Sequence, residues 1–351
     1  MGSRLATSGR NSIKRGQAMA GASIKRIAAL RLPRTYDVGL LQRDLEALQD
    51  IERAAQPGPY HAGEWKGIAL YSMGGKQSAM PSAAGMDRYR ETEALQHAPY
   101  FKEILDGLPS PKEVVRILFL PPGGFIKEHY DYHTNFQYGL IRLHIPIVTH
   151  EDVAFVIDNQ RMAWKPGELW YGDFSLVHWV KNDSPRTRVH MVIDTQINDF
   201  MLSLFPPDFV EERRAEGISM SRQTLAASEA DLRRFLCNFQ IPGDYLPMFV
   251  IGKQLTTVAK GARASVRLLD GELVVMLDNE PAFKLSRVAD DEFSISGLPT
   301  GVTLQFREEN NRVGQVVLHL KGLPKDLYFA RLGFLRGPML PERSIPLVVV
   351  D

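Results

Sequence analysis

Gly123-Gly124-Phe125-Ile126-Lys127-Glu128-His129-Tyr130-Asp131 is the stretch on which the fold turns. It leaves a turn at Pro121-Pro122-Gly123-Gly124 and ends on a His-x-Asp pair. Two imidazoles and one carboxylate occupy one face of an octahedral Fe(II) and leave the opposite positions open. His129 and Asp131 offer two such ligands, and His178 is the candidate third. Arg188, ten residues beyond His178, offers a planar bidentate cation that suits a carboxylate. A redox metal needs a rigid seat, which successive strands of one barrel supply. The surroundings read that way: residues 114–120, 168–173 and 187–195 all have strand character, the last carrying Arg188.

Nine histidines in 351 residues make a lone His-x-Asp a weak signal, so a second stretch matters. In Leu140-Ile141-Arg142-Leu143-His144-Ile145-Pro146-Ile147-Val148, four aliphatic residues share one face by the period of two and Arg142 and His144 share the other. A buried strand with a cation and an imidazole on one face needs anions or a metal to satisfy them. The alternative is an edge strand with both groups in water.

Within residues 116–194, four motifs carry a family resemblance: Gly-Gly-Phe-Ile-x-x-His-x-Asp, Ile-Arg-Leu-His-Ile-Pro-Ile, Pro-Gly-Glu-Leu-Trp and Arg-Val-His-Met-Val-Ile-Asp. The span resembles the aspartyl/asparaginyl β-hydroxylase family, in particular its bacterial small-molecule branch. The resemblance implies a double-stranded β-helix, or jelly roll, and a 2-oxoglutarate dioxygenase. By it, His129, Asp131 and His178 hold Fe(II), and Arg188 anchors the far carboxylate of 2-oxoglutarate. Arg142 and His144 match a strand beside that cosubstrate. Tyr132, His133 and Trp179 are the candidate substrate contacts. The expected reaction uses O2 to hydroxylate an unactivated C–H bond of an amino acid or similar metabolite, with release of succinate and CO2. Hydroxylation of a peptide residue or a lipid acyl chain, and a non-catalytic jelly-roll metal sensor, are the other readings. Asp131 separates the chain from vertebrate-type peptide hydroxylases, which lack that ligand. The hydroxyl group that helps bind 2-oxoglutarate in the family has no counterpart in Ile117-Leu118-Phe119-Leu120.

Composition agrees with a folded enzyme: 44% of residues are hydrophobic and 24% charged. No apolar run nears the ~20 residues of a membrane span. The single cysteine, Cys237, rules out an internal disulfide and a cysteine-rich metal site, and fits a reducing cytoplasm. Residues 1–36 hold eight Lys and Arg and no acid, so the rest carries 34 basic against 41 acidic side chains. A body with formal charge −7 is not a nucleic-acid surface. The expected partner is a small, amino-acid-like molecule, with a homo-oligomer open.

Four segments are expected: a basic, disordered arm over 1–29, within which Met19 offers an alternative start; the jelly roll over 30–206; a helical segment over 207–259; and a small antiparallel β domain over 260–351. In the jelly roll, residues 40–50 and 100–108 have helical character and 65–73 strand character. In the helical segment, Leu225, Leu232, Phe235 and Leu236 are expected to form one apolar stripe. Beyond it, Asp270-Gly271 and Asn310-Asn311 mark hairpin turns in a small barrel or curved sheet that resembles the lipocalin-like modules of some bacterial hydrolases. A structural role is expected for it.

Overall fold

The structure is a computed structural model and describes residues 27–56, 61–62, 64–78, 84–131, 133–246, 249, 261–324 and 339–350. The expected disordered arm lies outside them up to residue 26. Ala28 is already buried, and Ala29 begins a strand.

Two antiparallel sheets face each other. The larger has the order Ala29–Thr35, Glu168–Gly172, Leu140–Val148, Arg188–Gln196, Lys112–Leu120, Lys66–Met73 and Ala54–Ala55, with Tyr89–Glu91 joined to Lys66–Met73. The smaller runs Gln160–Arg161, Val153–Ile157, His178–Asn182, Phe125–His129 and His61–Ala62. Strands consecutive in sequence are rarely neighbours, and Phe125–His129 lies in the other sheet from Lys112–Leu120. This is the jelly roll that the motifs implied.

Leu140–Val148 lies between Glu168–Gly172 and Arg188–Gln196, so it is no edge strand and the wet alternative for Arg142 and His144 is excluded. Ile141, Leu143, Ile145 and Ile147 join a core with the helices Val38–Ala47, Glu93–Gln96, Pro99–Asp106, Asp199–Ser203 and Pro207–Glu216. The other face looks into the roll, where Leu120, Ile126, Phe155, Trp164, Phe174 and Val180 form a smaller cluster. The helix Val38–Ala47 starts where Asp37 accepts from the Leu40 N–H, and buried Asp44 takes the Tyr100 and Phe101 N–H groups at the head of Pro99–Asp106.

The described residues of the expected helical segment, 207–246 and 249, depart from expectation, and the rest of it lies outside the described residues. Helix Pro207–Glu216 stops at Gly217, whose φ of 95° suits glycine. The next helix is only Glu229–Arg233, begun by a Ser228–Asp231 capping box. Between them the chain is held extended: the Ser221 N–H donates to Ile197, the Leu225 N–H to Arg287, and Arg222 pairs with Glu292 at 2.7 Å. Leu225 is therefore 42% exposed and the apolar stripe does not form. Asn238–Ile241, inside the same span, is a strand.

That strand opens a closed eight-stranded antiparallel barrel, continued by Ala262–Leu269, Glu272–Leu277, Glu280–Arg287, Glu292–Ile295, Val302–Glu309, Arg312–Pro324 and Met339–Val350. Both anticipated turns have positive φ at both central residues, Asp270 and Gly271 and then Asn310 and Asn311, the backbone that matches strand twist in a tight hairpin. No helix among the described residues is long and apolar enough to cross a membrane.

Candidate metal centre

His129 and His178 end up side by side because their strands pair in one register: His178 lies opposite His129, then Val180 opposite Ile126. Lys127 and Glu128 on one strand thus face Trp179 alone on the other. That bulge turns both Ile126 and His129 inward, which strict alternation would forbid. The two imidazole centroids are 4.1 Å apart. Asp131 follows on the loop, its two oxygens each 4.0 Å from an imidazole Nε2. One ligand atom from each of the three residues lies within 4.8 Å of the others.

Hydrogen bonds orient all three. Nδ1 of His129 donates to the Lys127 carbonyl at 2.7 Å and Nδ1 of His178 to that of Leu176 at 2.9 Å. With Nδ1–H given to a carbonyl, each ring turns its Nε2 toward the cluster, the orientation a metal requires. Burial, and then neighbouring His129, lower His178 to about 3, so it is neutral at pH 7. Burial pushes the Asp131 carboxyl up, but Arg142, His129, His178 and His133 together outweigh it and hold it well below the usual range. Arg142 bonds to Asp131 and, through Nε and Nη2, to both oxygens of Asp194 at 2.6 and 2.9 Å. Asp194 stands directly across from Arg142 in the register and also meets Arg116 at 3.6 Å.

The second half of the interior surrounds Arg188. Its guanidinium is 3% exposed and has no carboxylate partner among the described residues, and burial lowers it to about 9, still a cation at neutral pH. It donates to Nδ1 of His190 at 2.9 Å and lies 5.0 Å over the Phe155 ring. Burial and then Arg188 hold both His144 and His190 neutral. Nε of Arg188, Nε2 of His144 and Nε1 of Trp164 are buried with no hydrogen-bond partner. They belong to one contact cluster, with His144 and Trp164 5.3 Å apart and Phe155 and Trp164 4.8 Å apart. A cavity of about 520 Å³ reaches Arg188, His190 and Trp164 past Thr149, His150 and Arg161. Orphaned donors beside a lone buried cation are costly unless an oxygen-bearing anion satisfies them.

Of the expected site residues, His129, Asp131 and His178 come together, and Arg188 and His144 line the adjoining space. Arg142 is the exception among the cosubstrate candidates: its donors are engaged by two carboxylates. Of the substrate candidates, His133 is half-buried and near enough to depress Asp131. Tyr132 lies outside the described residues. Trp179 is misplaced by the expectation: one residue from His178 on a strand, it points out of the roll and packs edge-on against Phe125 at 6.3 Å. Asp194, Arg116 and Trp164 went unrecognised as interior polar groups. Asp194 and Arg116 alternate with aliphatic residues on their strands, the only signal they give.

Residues 37–197 match the model of the Aspartyl/Asparaginyl beta-hydroxylase family. An L-proline cis-4-hydroxylase of Rhizobium meliloti is 24% identical over 177 residues, which span 50% of this chain and 61% of the relative. Among solved structures, a 2OG-Fe(II) oxygenase family oxidoreductase from Burkholderia pseudomallei aligns with TM-score 0.36 and 15% identity over 48% of this chain and 85% of that one. A Trichoplax adhaerens prolyl hydroxylase, in complex with a hypoxia inducible factor peptide fragment, aligns with TM-score 0.34 and 11% identity over 51% and 88%.

Proposed function

We propose, from the match of residues 37–197 to the aspartyl/asparaginyl β-hydroxylase family model, that the protein is an Fe(II)- and 2-oxoglutarate-dependent hydroxylase of an amino acid or amino-acid-like metabolite. The observation that carries the reading is the neighbourhood of two features inside the roll: a three-residue ligand cluster, and a buried Arg188 with no carboxylate partner among the described residues, joined to that cluster through the ring contacts of His190, His144, Phe174 and His178. A metal alone explains the first and a dicarboxylate explains the second. Two hard or borderline nitrogen ligands and one carboxylate are the donor set of non-haem Fe(II). When bound, iron and 2-oxoglutarate supply the oxidising power from O2, with succinate and CO2 as by-products.

The chain's own residues have the following roles. His129, Asp131 and His178 hold the metal on one face. Arg142 clamps the second oxygen of Asp131, with Asp194 fixing the clamp, so Asp131 stays ionised and aimed. Arg188 takes the far carboxylate of 2-oxoglutarate. The Trp164 indole N–H and the Nε–H of Arg188 supply the missing donors, in place of a hydroxyl group from residues 117–120, while neutral His144, whose Nδ1 donates to His190, packs beside them. Phe155 and Phe174 exclude water from the same space. His133, at the rim of the cluster, is the substrate contact. The test is incubation with Fe(II), 2-oxoglutarate and pooled free amino acids, read as a mass gain of one oxygen coupled to succinate. Succinate without an oxygenated amino acid points to a peptide or acyl substrate. Metal binding with no succinate under any substrate sinks the enzyme reading in favour of a sensor.

A further inference from the structure

The chain that follows Asp131 leaves the jelly roll and docks into the end of the C-terminal barrel. Thr134 turns it, with its N–H and its Oγ1 both donating to the Asp131 carbonyl, at 2.9 and 2.7 Å. Phe136 then enters the helix-side core of the roll, while Tyr138 and Leu140 are buried in the core of the barrel. Leu140 begins the strand that carries Arg142 on the same face. Both Asp131 and the guanidinium that clamps it are thus reached from one anchored segment.

Asn135 is the joint. Its Nδ2 donates to the Gly322 carbonyl at 2.9 Å and its Oδ1 accepts from the Tyr138 N–H at 2.8 Å. The carbonyls of Phe136, Gln137 and Tyr138 accept in turn from the Ser219 N–H, the Ser219 Oγ and the Gly301 N–H at 3.0, 2.6 and 2.9 Å. Glycines permit this approach. A Cβ on Gly322 would collide with the Tyr138 nitrogen and Asn135 Oδ1, one on Gly301 with the Tyr138 carbonyl, and one on Gly139 with Thr300 Oγ1. A merely appended domain meets its neighbour through a polar, solvated interface, whereas here two backbones interlock within a buried hydrogen-bond network.

We propose that the C-terminal barrel is a positioning element of the metal centre, and that Asn135 is the residue through which it holds Asp131 and Arg142 in place. The proposal rests on the assignment of His129, Asp131 and His178 as metal ligands. Outer partners of metal ligands change affinity by ~10–100-fold when removed, and Asn135 acts one step further out, through the backbone.

The experiment is a Co(II) titration of the metal-free full chain, followed by visible absorption, with hydrogen exchange over residues 131–142. Wild type, Asn135→Ala and Asn135→Asp are compared with Arg234→Ala, which removes an exposed ion pair to Glu308 on the barrel. Asn135→Ala is expected to weaken Co(II) about tenfold and to speed exchange over 131–142, while Val302–Glu309 keeps its protection. Asn135→Asp, which keeps the acceptor for Tyr138 but sets a buried carboxylate oxygen against the Gly322 carbonyl, moves both readouts the same way and at least as far. Arg234→Ala matches wild type. Wild-type Co(II) affinity in both Asn135 variants overturns the proposal, even if their melting temperatures fall, because that is the pattern of a purely structural residue. Absence of Co(II) binding by the wild type overturns the ligand assignment instead, and the proposal with it.

Discussion

The jelly roll and the C-terminal barrel are both antiparallel β structures with an enclosed interior, and they are filled in opposite ways. The roll buries Arg116, Arg142, His144, His178, Arg188, His190 and Asp194. The barrel is packed with Phe239, Phe283, Phe293 and Phe306 and with aliphatic side chains, and its buried polar residues among the described strands are only Ser265 and Thr303. In the barrel, Phe293 and Phe306 meet edge-to-face at 5.4 Å, the geometry that adds to plain area burial. An interior filled with hydrocarbon stabilises and leaves no room for chemistry. An interior filled with charges costs stability, and persists because each charge is paired or awaits a ligand. Arg188, a buried cation with no carboxylate partner among the described residues, therefore marks function more sharply than the paired ones.

The largest expected effect comes from removing a ligand. His178→Ala leaves two of three donors, and iron content measured after anaerobic loading should fall from stoichiometric to background, with no turnover. Retention of stoichiometric iron would move the metal elsewhere and erase the contrast between the two interiors. Next is Arg188→Leu. Hydrogen bonds to charged groups contribute ~1.5–3 kcal/mol, so 2-oxoglutarate affinity should drop by roughly 10–150-fold while iron stays bound. Calorimetry on the iron-loaded variant checks this, and unchanged affinity would transfer the anchor to another cation of the roll.

A smaller effect concerns acid. His144, His178 and His190 are held neutral in the metal-free fold, first by burial and then by neighbouring charge, with His178 at about 3. The unfolded chain titrates near ~6.5. Below that pH the unfolded state binds protons that the folded state refuses, so stability that is complete above ~6.5 is lost as pH falls toward 3. The barrel has one such group, the half-buried His319. From pH 7 to 5, exchange protection corrected for intrinsic rates should fall for Leu140–Val148 and Arg188–Gln196 by about 2 kcal/mol per histidine, and by less for Val302–Glu309. Equal losses in the two regions would contradict the contrast. The smallest effect is Trp179→Ala. This ring packs outside the roll, so stability should change by ~1 kcal/mol or less and Co(II) and 2-oxoglutarate affinities should not change. A shifted affinity would return Trp179 to the site.

Much of the site was legible because its residues obey local rules. His129 and Asp131 stand at the His-x-Asp spacing, the family resemblance added His178 and Arg188 as candidates, and the alternation in Leu140–Val148 puts Arg142 and His144 on one face without any partner being known. Trp179 fails the same rule: its neighbour His178 points inward, so it points out. Arg142 was read as a cosubstrate contact because sequence supplies a cation without its counter-ion. Asp194, 52 positions away, becomes its partner only when the two strands pair in one register.

The sequence by itself determined the alternation of the strands and the tight turns at Asp270-Gly271 and Asn310-Asn311, because each follows from bonding within a few residues. Tertiary structure alone decided the rest. It set the bulge that turns His129 inward, the extended run through Leu225 where helical spacing was available, the separation of Arg188 from every carboxylate of the described residues, and the seating of Tyr138 in the barrel. Each depends on which distant backbone supplies the hydrogen bonds, and local propensity yields when a long-range partner satisfies more polar groups than a helix or a loop would.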